Sequence, residues 1–274
     1  HRDLNAALEA NNWNYPVIAQ NNNYESYVMT VDNGIVLPNN PVTNVNKGIW
    51  YPIVPTIRSL GLSAVPLDKS APLNENPEQC IVYGHAASTA AYEVGKKTGG
   101  LKATCKIFEG KYGGPTWIRQ QNAPFVFIPY QVSVMKMWES VRAGTVMIVP
   151  TIDFLDVVTR THEWFYFVRD VFRDMAKAKI TDKTIWEKYI DFYSPEFAPC
   201  CMQFSSWKHL DEIINDRTTW QQKQKECEAY GEHFADSQLV LWHRLFQERF
   251  PQIPVAPYTD IQRIAAKKIL KLDI

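Results

Sequence analysis

The segment from Phe125 to Thr151 limits the fold more than any other part of the chain. Phe125 to Ile128 is a short apolar run of the kind a strand buried on both faces presents, and Pro129 ends it. Ser133 stands as the N-cap of a helix from Val134 to Ala143, and Gly144 sits where a helix closes on a left-handed residue. Thr145 to Val149 is a second buried strand, closed by Pro150. Strand, short helix and strand in this order make a βαβ unit with parallel strands. The fold class expected is therefore α/β, with a Rossmann-like domain.

Such a unit has a chemically useful end. The loop after the first strand and the first helical turn lie at the carboxyl edge of the sheet, where open α/β sheets bind ligands. Backbone N–H groups at the helix start attract phosphate, and the Ser133 hydroxyl adds to them. Glu139 lies further along the helix, flanked by Met137 and Trp138. A carboxylate there can accept hydrogen bonds from two neighbouring sugar hydroxyls.

Gln131, Ser133 and Glu139, followed by Gly144 and the apolar strand to Pro150, resemble the donor-binding segment of GT-B glycosyltransferases, exostosin-like in this half. Many retaining members carry two glutamates separated by seven residues. Glu139 stands at the second, which holds the nucleotide ribose. Gln131 stands at the first, near the donor sugar, and departs from the pattern. The resemblance implies sugar transfer from a nucleotide-diphosphate donor, UDP-sugar before GDP-sugar, to a hydroxyl of a glycan or glycoprotein. It implies no cofactor and no metal. The wording from Pro129 to Thr151 is also similar to enzymes with which large algal viruses glycosylate their capsid proteins in the host cytosol.

Composition narrows the partners. Lys plus Arg equals Asp plus Glu at 29 each, which gives no reason to expect nucleic acid or an anionic membrane surface. No apolar run reaches transmembrane length, and no signal peptide is visible. Five cysteines with no C-x-x-C pair argue against a zinc site and read as free thiols in a reducing compartment. With no Asn-x-Ser/Thr sequon, a cytoplasmic location is expected. The chain opens at His1 rather than Met, and 274 residues are short for two Rossmann-like halves, so a trimmed chain is expected.

Residues 1–77, rich in Asn and punctuated by Pro, are expected to be a reduced, acceptor-side domain. Asp32 follows a strand at Tyr27 to Val31 and ranks first there as general base. Residues 71–78 read as a linker, 78–214 as the nucleotide-sugar-binding domain and 215–274 as C-terminal helices packing back on the N-terminal domain. The donor domain opens with a strand at Cys80 to Tyr83, then Gly84, His85 and a helix to about Thr98. This is no G-x-G-x-x-G, but the strand–glycine–helix turn lets backbone approach a ligand, and His85 can donate to a phosphate or sugar hydroxyl.

A strand from Lys102 to Phe108 runs into Glu109-Gly110-Lys111-Tyr112-Gly113-Gly114-Pro115. Gly113 and Gly114 allow close approach of a donor. Lys111 and Arg119 are the cations expected to offset leaving-group charge. The resemblance implies that Tyr130, Val132, Trp117 and Ile118 surround the donor, by backbone groups and stacking at its base; the other reading of these aromatic residues is core. Asp153 and Asp156 are three apart, not a D-x-D metal pair, and read as helix-start acids. The aromatic residues of 161–195 either line an acceptor groove or fill core. Helices are expected at Ser206 to Ile214, Glu226 to Phe250 and Asp260 to Leu270. Two other classes stay open: a GT-B-like nucleotide-sugar epimerase, and a non-catalytic nucleotide- or glycan-binding module.

Overall fold

The short apolar runs at Cys80–Tyr83, Phe125–Val126 and Met147–Pro150 become strands that are buried on both faces. The computed structural model describes residues 67–83, 85–109, 113–131, 134–161, 190–249, 251–252 and 254–274. Strands β1 (Cys80–Tyr83), β2 (Cys105–Phe108), β3 (Phe125–Val126), β4 (Met147–Pro150) and β5 (Cys201–Phe204) form one sheet in the order β2-β1-β3-β4-β5. Every pairing is parallel, with Ile81 opposite Phe125, Val126 opposite Ile148 and Pro150 opposite Phe204. The chain steps outward from β1 to β2, then returns past β1 to β3. That reversal makes the crevice between the ends of β1 and β3 the topological switch point of the sheet. The fold is α/β with a parallel sheet, compatible with the expected Rossmann-like class.

The strand-to-strand connections are helical: α1 (Ala86–Lys97), α2 (Gly114–Gln120), α3 (Met135–Ala143) and α4 (Ile152–Thr161). After β5 come α5 (Trp207–Asn215), α6 (Arg217–Arg249) and α7 (Asp260–Ala265). Ser206 caps α5, its hydroxyl accepting from the His209 N–H. Thr259 and Gln262 form a reciprocal capping box at α7. Gly144 closes α3 in the left-handed conformation at φ 64°, as expected. The N-cap of α3 is Val134, one residue later than the sequence suggested, and it provides no side-chain cap.

Two strands start later than expected because groups outside the sheet take their first N–H groups. The Thr145 N–H donates to the Ser140 carbonyl and the Val146 N–H to Gln224 Oε1, so β4 begins at Met147 rather than Thr145. Asp211 Oδ1 accepts from the N–H groups of both Lys102 and Ala103, so β2 begins at Cys105 rather than Lys102.

Helix α6, 33 residues and about 50 Å long, starts nine residues before the expected Glu226. It lies across α3, with the Trp138 and Phe234 rings stacked 5.7 Å apart. Trp220, Cys227 and Phe234 of α6 belong to the same buried core as the sheet. Of residues 1–77, onto which the C-terminal helices are expected to return, only 67–77 are described, and there Lys69 pairs with Glu232 of α6 at 3.2 Å. Residues 71–78, read as a linker, and the residues just before them are docked on α2. The Asp68 N–H donates to Thr116 Oγ1 and the Asn74 N–H to the Gln120 carbonyl. Of the aromatic run 161–195, residues 162–189 lie outside the described residues. Phe192 is core, stacked on Phe127 at 5.1 Å. Asp153 stands in the first turn of α4, and Asp156 pairs with Arg160 at 2.8 Å. Among the described residues no helix is long and apolar enough to cross a membrane.

The expectation of free thiols is overturned. Cys80 is bonded to Cys105 and Cys200 to Cys227, which leaves Cys201 as the free cysteine. The reading missed this because the partners are 25 and 27 residues apart and meet only through the sheet and α6.

The α3–α6 contact is set by glycine. A methyl group on Gly231 would fall inside the Val141 carbonyl oxygen, and one on Gly144 would lie 2.7 Å from the Glu228 Cα. Gly231→Ala is expected to force the helices apart and lower stability by about 1–3 kcal/mol, read as a reduced urea midpoint at unchanged slope.

Candidate functional site

Aromatic side chains build the wall of the switch point. Tyr83, the last residue of β1, is buried and stacks on Phe125 at 5.2 Å, with Phe127 and Phe108 edge-on around it. Beyond it, the His85 ring lies flat on Tyr130 with centroids 3.6 Å apart and planes 4° from parallel. One ring comes from the loop after β1 and the other from the loop after β3, so the stack joins the two sides of the crevice. Burial lowers the His85 pKa and raises that of Tyr130, which leaves both rings neutral at pH 7. Beneath them the buried Ser88 hydroxyl donates to the Ile128 carbonyl at 2.8 Å and ties α1 to the end of the β3 segment.

The first turns of α3 bring opposite charges to this wall. Lys136 Nζ sits 3.4 Å from the centre of the Tyr83 ring. Burial pulls its pKa down from 10.5 to about 8. Glu139, one turn on, is only 6% exposed, and its Oε2 is buried with no hydrogen-bond partner. Burial raises its pKa, against the opposing pull of Arg142. The Tyr83 hydroxyl is held well above the usual phenol range by burial and then by the charge of Glu139. A carboxylate oxygen placed this deep costs free energy until a donor reaches it. The arrangement offers a hydrogen-bond acceptor, a cation of adjustable protonation and flat ring faces at one sheet edge.

The structure brings together only part of the expected set. His85, Tyr130, Gln131 and Glu139 lie on the loops and helix that border the switch point. Gly113 is the N-cap of α2, after β2, and Gly114 follows at φ 78°, a conformation that favours glycine. Trp117 and Ile118 are packing residues: Trp117 lies 4.4 Å from the Phe108 ring and Ile118 is fully buried. Arg119 is not at this edge. It sits in the last turn of α2, next to the start of the sheet, where its Nη1 donates to the Ala71 carbonyl at 3.1 Å. Asp32, Gly84, Lys111, Val132 and Ser133 lie outside the described residues.

Lys136 is the residue the sequence reading missed. A signal was present: a lysine between Met135 and Met137, at the start of a helix that opens on the switch point, must place its stem against apolar surface. No family model, curated protein or solved structure matches the chain.

Lys136 carries a pH signature. Below pH 8 the folded chain bears the full cost of a buried ammonium. Between pH 8 and 10.5 the unfolded chain holds the proton and the folded chain releases it, so this group makes stability rise with pH. Lys136→Met keeps the stem over Tyr83 and removes the charge. It is expected to raise the melting temperature at pH 7 and to abolish this group's gain between pH 8 and 10.5, both read from melting curves across pH 6–11.

Proposed function

We propose that the switch-point edge is the donor site of a GT-B type glycosyltransferase, which moves a sugar from a nucleotide-diphosphate donor to a hydroxyl of a glycan or glycoprotein. Glu139 carries this reading. It is a glutamate buried to 6% exposure, with one carboxylate oxygen lacking a partner, in the helix that follows the strand bordering the switch point. Vicinal ribose hydroxyls supply the pair of donors such an oxygen lacks, and they replace water that burial has removed.

The remaining roles extend this reading to the residues singled out in the sequence. Lys136, together with Lys111, faces the donor diphosphate in this reading, in place of Arg119. As the bond from the anomeric carbon to the phosphate oxygen breaks, negative charge collects on the diphosphate, and a fixed cation stabilises that charge most in the transition state. The acceptor oxygen forms the new bond to the anomeric carbon, and its proton passes to a base, for which Asp32 is the candidate. His85 and Gln131 stand toward the donor sugar, with Tyr130 behind His85. Gly113 and Gly114 let the loop after β2 approach the nucleotide. Ser133 and neighbouring backbone N–H groups take a phosphate oxygen. No metal and no cofactor enters the scheme, and UDP is favoured as the nucleotide.

Calorimetry with UDP, GDP and their sugars, with and without Mg²⁺, tests the proposal. Saturable binding of one nucleotide, independent of Mg²⁺, is expected. Glu139→Ala should weaken it by about 1.5–3 kcal/mol, the worth of hydrogen bonds to a charged group. Affinity should fall as pH rises through 8, because Lys136 meets the diphosphate in its protonated form. Equal affinity in the wild type and Glu139→Ala would remove the ribose assignment. Hydrolysis or isomerisation of the donor without any acceptor would favour the epimerase class.

A further inference from the structure

We infer that this chain is a two-disulfide protein of an oxidising compartment, and that the Cys200–Cys227 bond seats the helix that carries Glu139. Two independent sets of contacts support the two halves of this inference. Only the nucleotide-binding part of its test rests on the function proposed above.

The compartment follows from where the bonds lie. Cys80 and Cys105 open β1 and β2 and are direct partners in the register of the sheet. Cys200 leads into β5, and Cys227 lies in α6. Exposure of the four is 0, 6, 0 and 0% respectively, so the folded protein keeps both bonds away from solvent reductants. Bonds inside a core act as structural links rather than exchange sites. Such links form and persist where the surroundings are oxidising. Each forms as two thiols give two protons and two electrons to a disulfide-bearing oxidoreductase, whose own disulfide leaves as a dithiol. Cys201, adjacent to Cys200, does not compete in the folded state. It is buried, and its thiol is pushed up to about 12, so the thiolate needed for exchange is scarce.

The seating role follows from the spacing along α6. Gly231 lies one turn after Cys227 and touches the Val141 carbonyl and Gly144 at the end of α3. Phe234 lies two turns after Cys227 and stacks on Trp138, the residue before Glu139. A glycine contact this close tolerates little sliding of one helix on the other. Fixing α6 at Cys227 therefore fixes α3, and with it the depth of Glu139. The Cys80–Cys105 bond joins the starts of β1 and β2 and does not touch α3.

The test uses the full chain. The cells that make the protein are lysed directly into denaturant containing N-ethylmaleimide, so that every free thiol is blocked as the chain unfolds, and the mass is then measured. One blocked thiol per chain, at Cys201, with the peptides containing Cys80 and Cys105, and Cys200 and Cys227, joined in pairs, is expected. Two or more blocked thiols would overturn the compartment inference.

The double variants C200A/C227A and C80A/C105A are then compared. Each is expected to melt roughly 10 °C lower. Only C200A/C227A should speed amide exchange across Met137 to Ala143 and weaken UDP binding tenfold or more. Equal exchange across α3 in the two variants would overturn the seating role. If C200A/C227A does not fold, the same exchange measurement on wild-type protein under graded reduction decides, with unchanged α3 exchange after loss of Cys200–Cys227 as the contrary result. A wild type that binds no nucleotide would remove the donor reading, while the thiol count and the exchange measurement would still decide this inference.

Discussion

The whole architecture hangs on β1. Its four residues are buried to 1% exposure or less, and it is the strand at which the sheet order reverses. Parallel strands this short have no hairpins to hold them, so burial on both faces must offset the loss of chain entropy. Cys80, Ile81, Val82 and Tyr83 supply that burial, two side chains to each face. The same reversal opens the crevice at which the His85 and Tyr130 rings meet. Fold and candidate site therefore share one cause.

The site carries costs that a structural core would avoid. Burial lowers Lys136 and raises Glu139, and both directions mean that the charged form is held where it is less stable than in water. A Met and a Leu in these positions would pack the same region without that cost. Ionisable groups kept in such surroundings at a sheet switch point are what single this edge out as the candidate site. The cation–ring contact with Tyr83 recovers part of the cost for Lys136.

The covalent links suit the geometry they secure. In the chain-entropy account a loop of 25 or 27 residues yields about 3–4 kcal/mol when closed. One link holds β2 to β1 at the edge of the sheet. The other ties α6 to the start of β5, beside its glycine contact, its ring stack and its Gln224 hydrogen bond. Surface ion pairs such as Lys69–Glu232, with both side chains more than half exposed, add little by comparison.

Local chemistry determined the elements themselves. The tetrapeptide at Cys80 to Tyr83, the apolar run at Phe125, the left-handed stop at Gly144 and the helix opening near Ser206 were all legible, because strand burial and helix termination are decided within a few residues. That Glu139 lies within a helix after a buried strand was legible for the same reason. Tertiary structure decided whatever depends on groups far apart in the chain. Asp211 and Gln224 moved the starts of β2 and β4 by taking their N–H groups from more than seventy residues away. Arg119 went to Ala71, away from the site, because a helix between parallel strands ends at the opposite edge from where it begins. The cysteine pairs and the depth of Lys136 over Tyr83 were likewise set by packing. Disulfide partners and desolvation depend on three-dimensional distance, which sequence spacing does not encode.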